Sequence, residues 1–196
     1  DHIRHLSTCH LMGKGYWVWI IPLASKATSI GIVADGDLYP HADIFTFEKS
    51  LAWLKKHEPQ LAEIIDSIKS DKMDFRTLKN YSHDIKQVYS SNRWAITGES
   101  GAFLDPFYSP GTDFIAISND FIADLIIRDF KGEDISERVS RHNFLYLKII
   151  ESFFHVYQKQ YPVMGNSKVM LTKISWDIAV YWAGVGVLFF ANKLTD

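Results

Sequence analysis

Apolar positions along this chain change their period as it runs. Residues 16–23 (YWVWIIPL) and 28–34 (TSIGIVA) are rich in β-branched and aromatic side chains. Ala24-Ser25-Lys26-Ala27 separates them, a pattern that predicts two strands joined by a short turn. Between 47 and 68 the spacing becomes helical, through Phe47, Leu51, Leu54, Leu61, Ile64, Ile65 and Ile68. Glu58-Pro59 interrupts this run and predicts two short helices, because proline lacks the N–H that an unbroken helix needs. A second strand-like pair falls at 86–89 and 94–97. Ser109-Pro110-Gly111-Thr112 then predicts a helix start, with serine as cap and proline at the first helical position. Phe114, Ile117, Phe121 and Leu125 form one face of that helix; Asp120, Asp124 and Arg128 form another; Lys131-Gly132 ends it. Ile135, Val139, Tyr146, Ile150, Phe153 and Tyr157 stripe a second helix over about 134–160, stopped by Pro162. A third opens near Asn166-Ser167 and carries Trp176 and Trp182. The longest apolar run, 178–192, falls short of the roughly 18 to 20 apolar residues of a bilayer span and predicts a buried helix. Strands first and helices afterwards is an α+β arrangement, divided here into a sheet-containing part, 1–108, and a helical part, 109–196.

Composition narrows the classes. With 196 residues, 47% hydrophobic and 22% charged, the chain can bury a core, which excludes disorder. Its 21 basic and 23 acidic side chains leave a net charge of -2, without the positive excess that nucleic-acid binding draws on. Neither nucleic acid nor membrane is an expected partner. A single cysteine, Cys9, excludes an internal disulfide and fits a reducing, cytoplasmic setting. The chain begins Asp1-His2-Ile3-Arg4, without methionine or a basic-then-apolar leader, and the expectation is an internal point of a longer protein. Aromatic residues make up 14%, six of them tryptophan, which is the one unusual value.

Candidate chemistry is sparse. His2, His5, Cys9 and His10 offer imidazole and thiolate in a short window, but their spacing fits no established zinc pattern, and no metal site is predicted. His41, His57, His83, His142 and His155 are scattered singly. Gly98-Glu99-Ser100-Gly101 lacks the spacing of a nucleophile elbow. Two segments remain. Alternation puts Trp17 and Trp19 of WVWIIP on one strand face, as an aromatic wall or as core packing. Between 94 and 112 a strand runs into a glycine-punctuated turn and then a helix start, where small residues admit a ligand to the backbone and free N–H groups face it. That segment also reads as an ordinary strand-loop-helix. On these residues alone, a non-catalytic α+β module binding a ligand or partner on its aromatic face stands beside an enzyme.

Together the two segments resemble the flavin-dependent, tryptophan-type halogenases and their relatives among the FAD-dependent monooxygenases. Residues 17–22 match the signature W-x-W-x-I-P at every fixed position. TGESGAFLDPFYSPG at 97–111 is similar to the family's second flavin-contacting segment, G-D-A-A-G-F-x-D-P followed by a Ser-x-Gly helix start. The resemblance implies the C-terminal portion of an FAD/NAD(P)-binding, monooxygenase-like fold, in which reduced FAD and oxygen act on an electron-rich organic substrate. It implies that Gly98 and Glu99 lie along the ribityl and pyrophosphate part of FAD, and that Asp105 and Pro106 shape the loop beside the isoalloxazine ring. The helix start at Ser109, Gly111 and Thr112 would point at the ring's pyrimidine side. Trp17 and Trp19 would stand in the catalytic region between flavin and substrate. A small organic substrate, a halide and a separate flavin reductase are the partners it implies.

Three departures accompany the match. Glu99 stands where the family generally has aspartate. Pro110, which has no N–H, lies in the helix start implicated in halide binding, leaving Gly111 and Thr112 as donors. No G-x-G-x-x-G occurs in the chain, so the cradle for the ADP half of FAD, like the family's catalytic lysine, would belong to a region upstream.

Overall fold

A computed structural model describes residues 6–196. The described residues form two compact units, 6–79 with 159–173 and 80–158 with 174–196. The helical stretch after 109 is therefore shared between them: most of it builds the second unit, and 159–173 returns to the first.

The first unit is a three-stranded antiparallel sheet in the order β1 (Cys9–Gly13), β2 (Tyr16–Pro22), β3 (Thr28–Ala34), followed by α1 (Phe47–His57) and α2 (Pro59–Ser67). Pro22 pairs with Thr28, so the turn spans the five residues between them, with Lys26 at a positive φ of 68°. Thr46 caps α1, its Oγ1 accepting from Lys49 N at 3.3 Å, and Pro59 opens α2 where the sequence broke. One face of β2, through Tyr16 and Val18, packs with Leu51, Trp53, Leu54, Leu61 and Ala62 into a core. The returning segment is tied to the sheet: Gly15 N donates to Tyr161 O at 2.8 Å.

In the second unit β4 (Tyr89–Ser90) and β5 (Trp94–Ala95) are two-residue strands, shorter than the apolar pattern predicts. The amides of Val88 and Tyr89 are taken by a side chain instead, both donating to Asn143 Oδ1 (2.9 and 3.0 Å). Helices α3 (Pro110–Phe130) and α4 (Ser136–Tyr157) bury the predicted stripes: Phe114, Ile117, Phe121 and Leu125 meet Val139, Tyr146 and Ile150. Asp124 accepts from Arg128 (2.9 Å) and Arg138 (2.7 Å) and pairs with His142 Nε2 (2.8 Å). Burial alone would raise the Asp124 carboxyl, but the hydrogen bonds from Arg138, His142 and Arg128 outweigh it and hold the group well below the usual carboxylate range. His142 is fully buried, stacked on Phe121 at 4.4 Å.

The apolar run near the C-terminus departs from expectation. Helix α5 (Ser167–Tyr181) continues through a π-turn at Trp182–Gly186, kinked at Gly184, into α6 (Val187–Phe190). Far from being a buried helix, this stretch exposes Leu171, Trp176, Ile178, Trp182 and Phe190. Counted from Ser167 to Phe190 its 24 residues are, by length and composition, long and apolar enough to cross a bilayer, which the shorter window 178–192 did not reveal. Its apolar residues do not repeat on one face, so no single stripe can be turned to a core.

Candidate functional site

The first predicted segment lies on the central strand of its sheet. Trp17 and Trp19 share the face of β2 opposite Tyr16 and Val18, their rings 5.6 Å apart at 49°. Trp17 is 2% exposed and Trp19 half-buried. Each indole N–H is satisfied: Trp17 Nε1 donates to Tyr161 Oη at 3.2 Å and Trp19 Nε1 to Ser29 Oγ at 3.0 Å. The Trp19 ring lies across its neighbour on β3, Gly31, where a Cβ would come within 2.0 Å of it. A glycine opposite is therefore what lets the indole lie flat against the sheet. His10 meets Trp17 edge-on at 5.3 Å, and burial pushes its imidazole below the ordinary value. His2 and His5 lie outside the described residues. Cys9 is exposed.

The second segment is built differently. Gly98–Ser100 forms a single 3-10 turn that begins at Gly98 with φ +58°, a conformation that costs other residues roughly 1–2 kcal/mol. The backbone of 103 pairs with that of His83, two hydrogen bonds of 2.9 Å, while His83 Nε2 meets Glu99 O at 3.0 Å and Nδ1 meets Tyr81 O at 3.1 Å. Asp105 Oδ1 accepts from Phe107 N at 2.8 Å, closing a tight turn through Pro106. Buried Tyr157 donates its hydroxyl to Phe107 O at 2.7 Å, and Tyr108 donates to Asp177 Oδ2 at 3.0 Å. Burial and the adjacent carboxylate push the Tyr108 hydroxyl far above its ordinary value, so it stays protonated as a donor.

Tyr108 and Ser109 both stand at positive φ, 69° and 56°, immediately before α3. Two successive non-glycine residues in the left-handed region mark a stretch whose surroundings over-determine it. This corrects the expected cap: Ser109 holds the cap position, but its side chain makes no capping bond. The donors left for an anion at the helix start also differ from expectation. Thr112 N–H is engaged by Ser109 O at 3.2 Å, and Glu99 turns its carboxylate onto Gly111, where a Cβ would lie 2.2 Å from Oε1. A side chain of the chain itself thus faces the positive end of α3.

Glu99, Asp105, Pro106, Ser109, Gly111 and Thr112 line one recess of about 150 Å³ with Phe103, Leu104 and Pro110; Gly98 does not line it. The sequence assigns no site role to Phe103, Leu104 or Tyr108, which lie inside the 97–111 segment, and Tyr157 and His83, which clamp the loop, read there only as a helix stripe and a singly placed histidine. Tyr108 and Tyr157 find their partners far along the chain, so no local spacing announces those clamps. Among the described residues no cluster of three metal-ligating side chains occurs.

Comparison with known proteins follows the same lines. No protein-family model matches the chain. It is 28% identical over 182 residues to the flavin-dependent halogenase chlA of Dictyostelium discoideum, covering 90% of this chain and 30% of that protein. It is 26% identical over 142 residues to a 1H-pyrrole-2-carbonyl-(peptidyl-carrier protein) chlorinase of Pseudomonas fluorescens, covering 72% of this chain and 31% of that one. The chain therefore spans about a third of the length of these relatives. In fold it is similar to the crystal structure of a flavoprotein/dehydrogenase from Cytophaga hutchinsonii, with a TM-score of 0.56 at 19% identity over 90% of this chain and 51% of the other. The α+β architecture is thus similar to that of a solved flavoprotein/dehydrogenase, and relatives matched over most of this chain's length include proteins described as flavin-dependent halogenases.

Proposed function

We propose that this chain is the C-terminal portion of an FAD-dependent, halogenase-like oxidoreductase that acts on an electron-rich small organic substrate. The observation that carries the reading is the similarity over 182 residues to a flavin-dependent halogenase. Carrier-protein-bound pyrroles are named for some relatives and are one substrate class to try. A separate flavin reductase and a halide complete the partners, in a cytoplasmic enzyme.

The residues present fit one edge of the cofactor. A 150 Å³ recess is smaller than the usual 300–1,000 Å³ of a whole ligand site, and the chain has no dinucleotide cradle. Gly98 and Glu99 would border the ribityl side, with Asp105 and Pro106 holding the loop against the ring; the Ser109–Thr112 helix start would face its pyrimidine edge once the Glu99 carboxylate, which rests on Gly111, turns away from it. Reduced FAD would supply the electrons that activate oxygen. Trp17 and Trp19 would wall off water from the oxidant's path, their N–H groups held by Tyr161 and Ser29. The test is flavin binding by the intact, longer protein, read by flavin fluorescence and absorbance. Binding that a bulky Gly98→Val change weakens supports the reading. A purified protein that carries no flavin and takes up none on addition overturns it. Product formation that requires chloride or bromide identifies halogenation; halide-independent oxygenation identifies a monooxygenase.

A further inference from the structure

We propose that the first unit carries a second, separate ligand site for a planar aromatic monocarboxylate, in a cleft between α1 and the segment that follows β3. The cleft has a volume of about 410 Å³, within the 300–1,000 Å³ that small-molecule sites occupy. None of its residues belongs to the two segments discussed above, and the inference does not depend on the flavin reading.

Its apolar wall is an interlocked set of rings. Tyr39 meets Trp53 edge-to-face at 5.3 Å and His57 at 5.2 Å, while His57 stacks on Trp53 at 4.3 Å and 28°. Leu38 and Ala52 complete the wall. Such a surface favours a flat, rigid occupant, which loses little conformational freedom on binding. Trp53 is 7% exposed, and its buried Nε1–H has no hydrogen-bond partner. A buried donor without an acceptor costs on the order of 1–3 kcal/mol, so this ring sits beside the cleft with a polar group unsatisfied.

Charge selects the sign of the ligand. Lys49 and Lys56 line the cleft against one carboxylate, Asp43. Lys49 is held in place, Nζ donating to Ala42 O at 2.6 Å and lying 4.5 Å from the Phe45 ring centroid. Lys56 makes no ion pair among the described residues, whereas the neighbouring Glu58 carboxylate is already engaged by Tyr16 Oη at 2.8 Å. Burial, and then the charge of Lys56, push the His57 imidazole below its ordinary value, so it is neutral near pH 7 and available to donate or accept. Two cations against one anion leave room for one negative charge.

The test titrates the full chain with 2-naphthoate, using neutral 2-naphthamide as the control and the indole and His57 ring resonances as readout. Saturable shifts of Trp53 and His57 are expected, with 2-naphthamide and the Lys56→Glu variant each weakened about tenfold or more, as loss or reversal of a nearby charge entails. Ala52→Leu fills the cleft from an exposed helix position and is expected to abolish the shifts while the unfolding midpoint stays unchanged. No saturation into the millimolar range, equal affinity for acid and amide, or undiminished binding by Ala52→Leu would each overturn the proposal.

Discussion

The two segments that carry the resemblance are held in place by opposite means. WVWIIP lies in the middle of a regular antiparallel ladder, every residue paired with β3, and its tryptophans are aimed by alternation alone. The segment 98–112 has almost no regular pairing; side chains from distant helices and a strained backbone at Tyr108 and Ser109 hold it. A ladder transmits a local change along the sheet, whereas a clamped loop fails clamp by clamp. The first arrangement suits a wall that must not move, and the second suits a surface that must match a particular ligand edge.

The most severe challenge to the clamped segment is loss of its platform. Phe121→Ala removes a fully buried ring shared by α3 and the His142 stack, with an expected loss of about 3–5 kcal/mol in urea unfolding. A loss below about 1 kcal/mol would mean that α3 is not what anchors the loop. Next comes Asp124→Asn, which strips Arg128, Arg138 and His142 of their shared carboxylate and costs on the order of 2–3 kcal/mol. The same network sets a pH signature. Burial holds His142 below 6.5 despite Asp124, so the unfolded chain binds the proton first and stability falls as pH drops below about 6.5. Asp124, held below 3.8, adds a further loss as pH falls through the acid range. Unfolding midpoints between pH 8 and 3 check both windows; a flat profile would remove the network from the account.

Smaller changes address the ladder and the strain directly. Gly31→Ala drives a methyl into the Trp19 ring and is expected to cost about 1–3 kcal/mol, with a changed tryptophan signal in near-ultraviolet circular dichroism. An unchanged signal would show that the indole does not lie on Gly31. Ser109→Gly relieves one left-handed residue that makes no capping bond; relief of roughly 1–2 kcal/mol against glycine's added chain entropy leaves a gain of under about 1 kcal/mol. A measured loss would place the hydroxyl in an essential contact.

The same contrast explains what the sequence disclosed. Enrichment in β-branched and aromatic residues located β2 and β3, and 3.6-residue spacing located α1, α2, α3 and α4, all close to their observed bounds, because these local patterns record what each element buries. Pro59 and Pro110 marked helix starts for the same local reason. The strand at 89–90 fell short because Asn143, more than fifty residues away, takes the amides of Val88 and Tyr89. The Ser109 cap was read from residue type, but the backbone at 108 and 109 is held by Tyr157 and Asp177, both far along the chain, as well as by the local turn at Asp105. Glu99 was recognised as a departure from the family pattern; its turn onto Gly111 required the fold.

The exposed C-terminal helix also has a spectroscopic consequence. Trp176 and Trp182 are 70% and 55% exposed, whereas Trp17 and Trp53 are 2% and 7% exposed. Iodide or acrylamide will therefore extinguish the emission of the former pair first and leave a residual, blue-shifted signal dominated by the buried indoles. That residual emission is the channel in which energy transfer to a bound flavin would report on the β2 wall, free of the background from the helix.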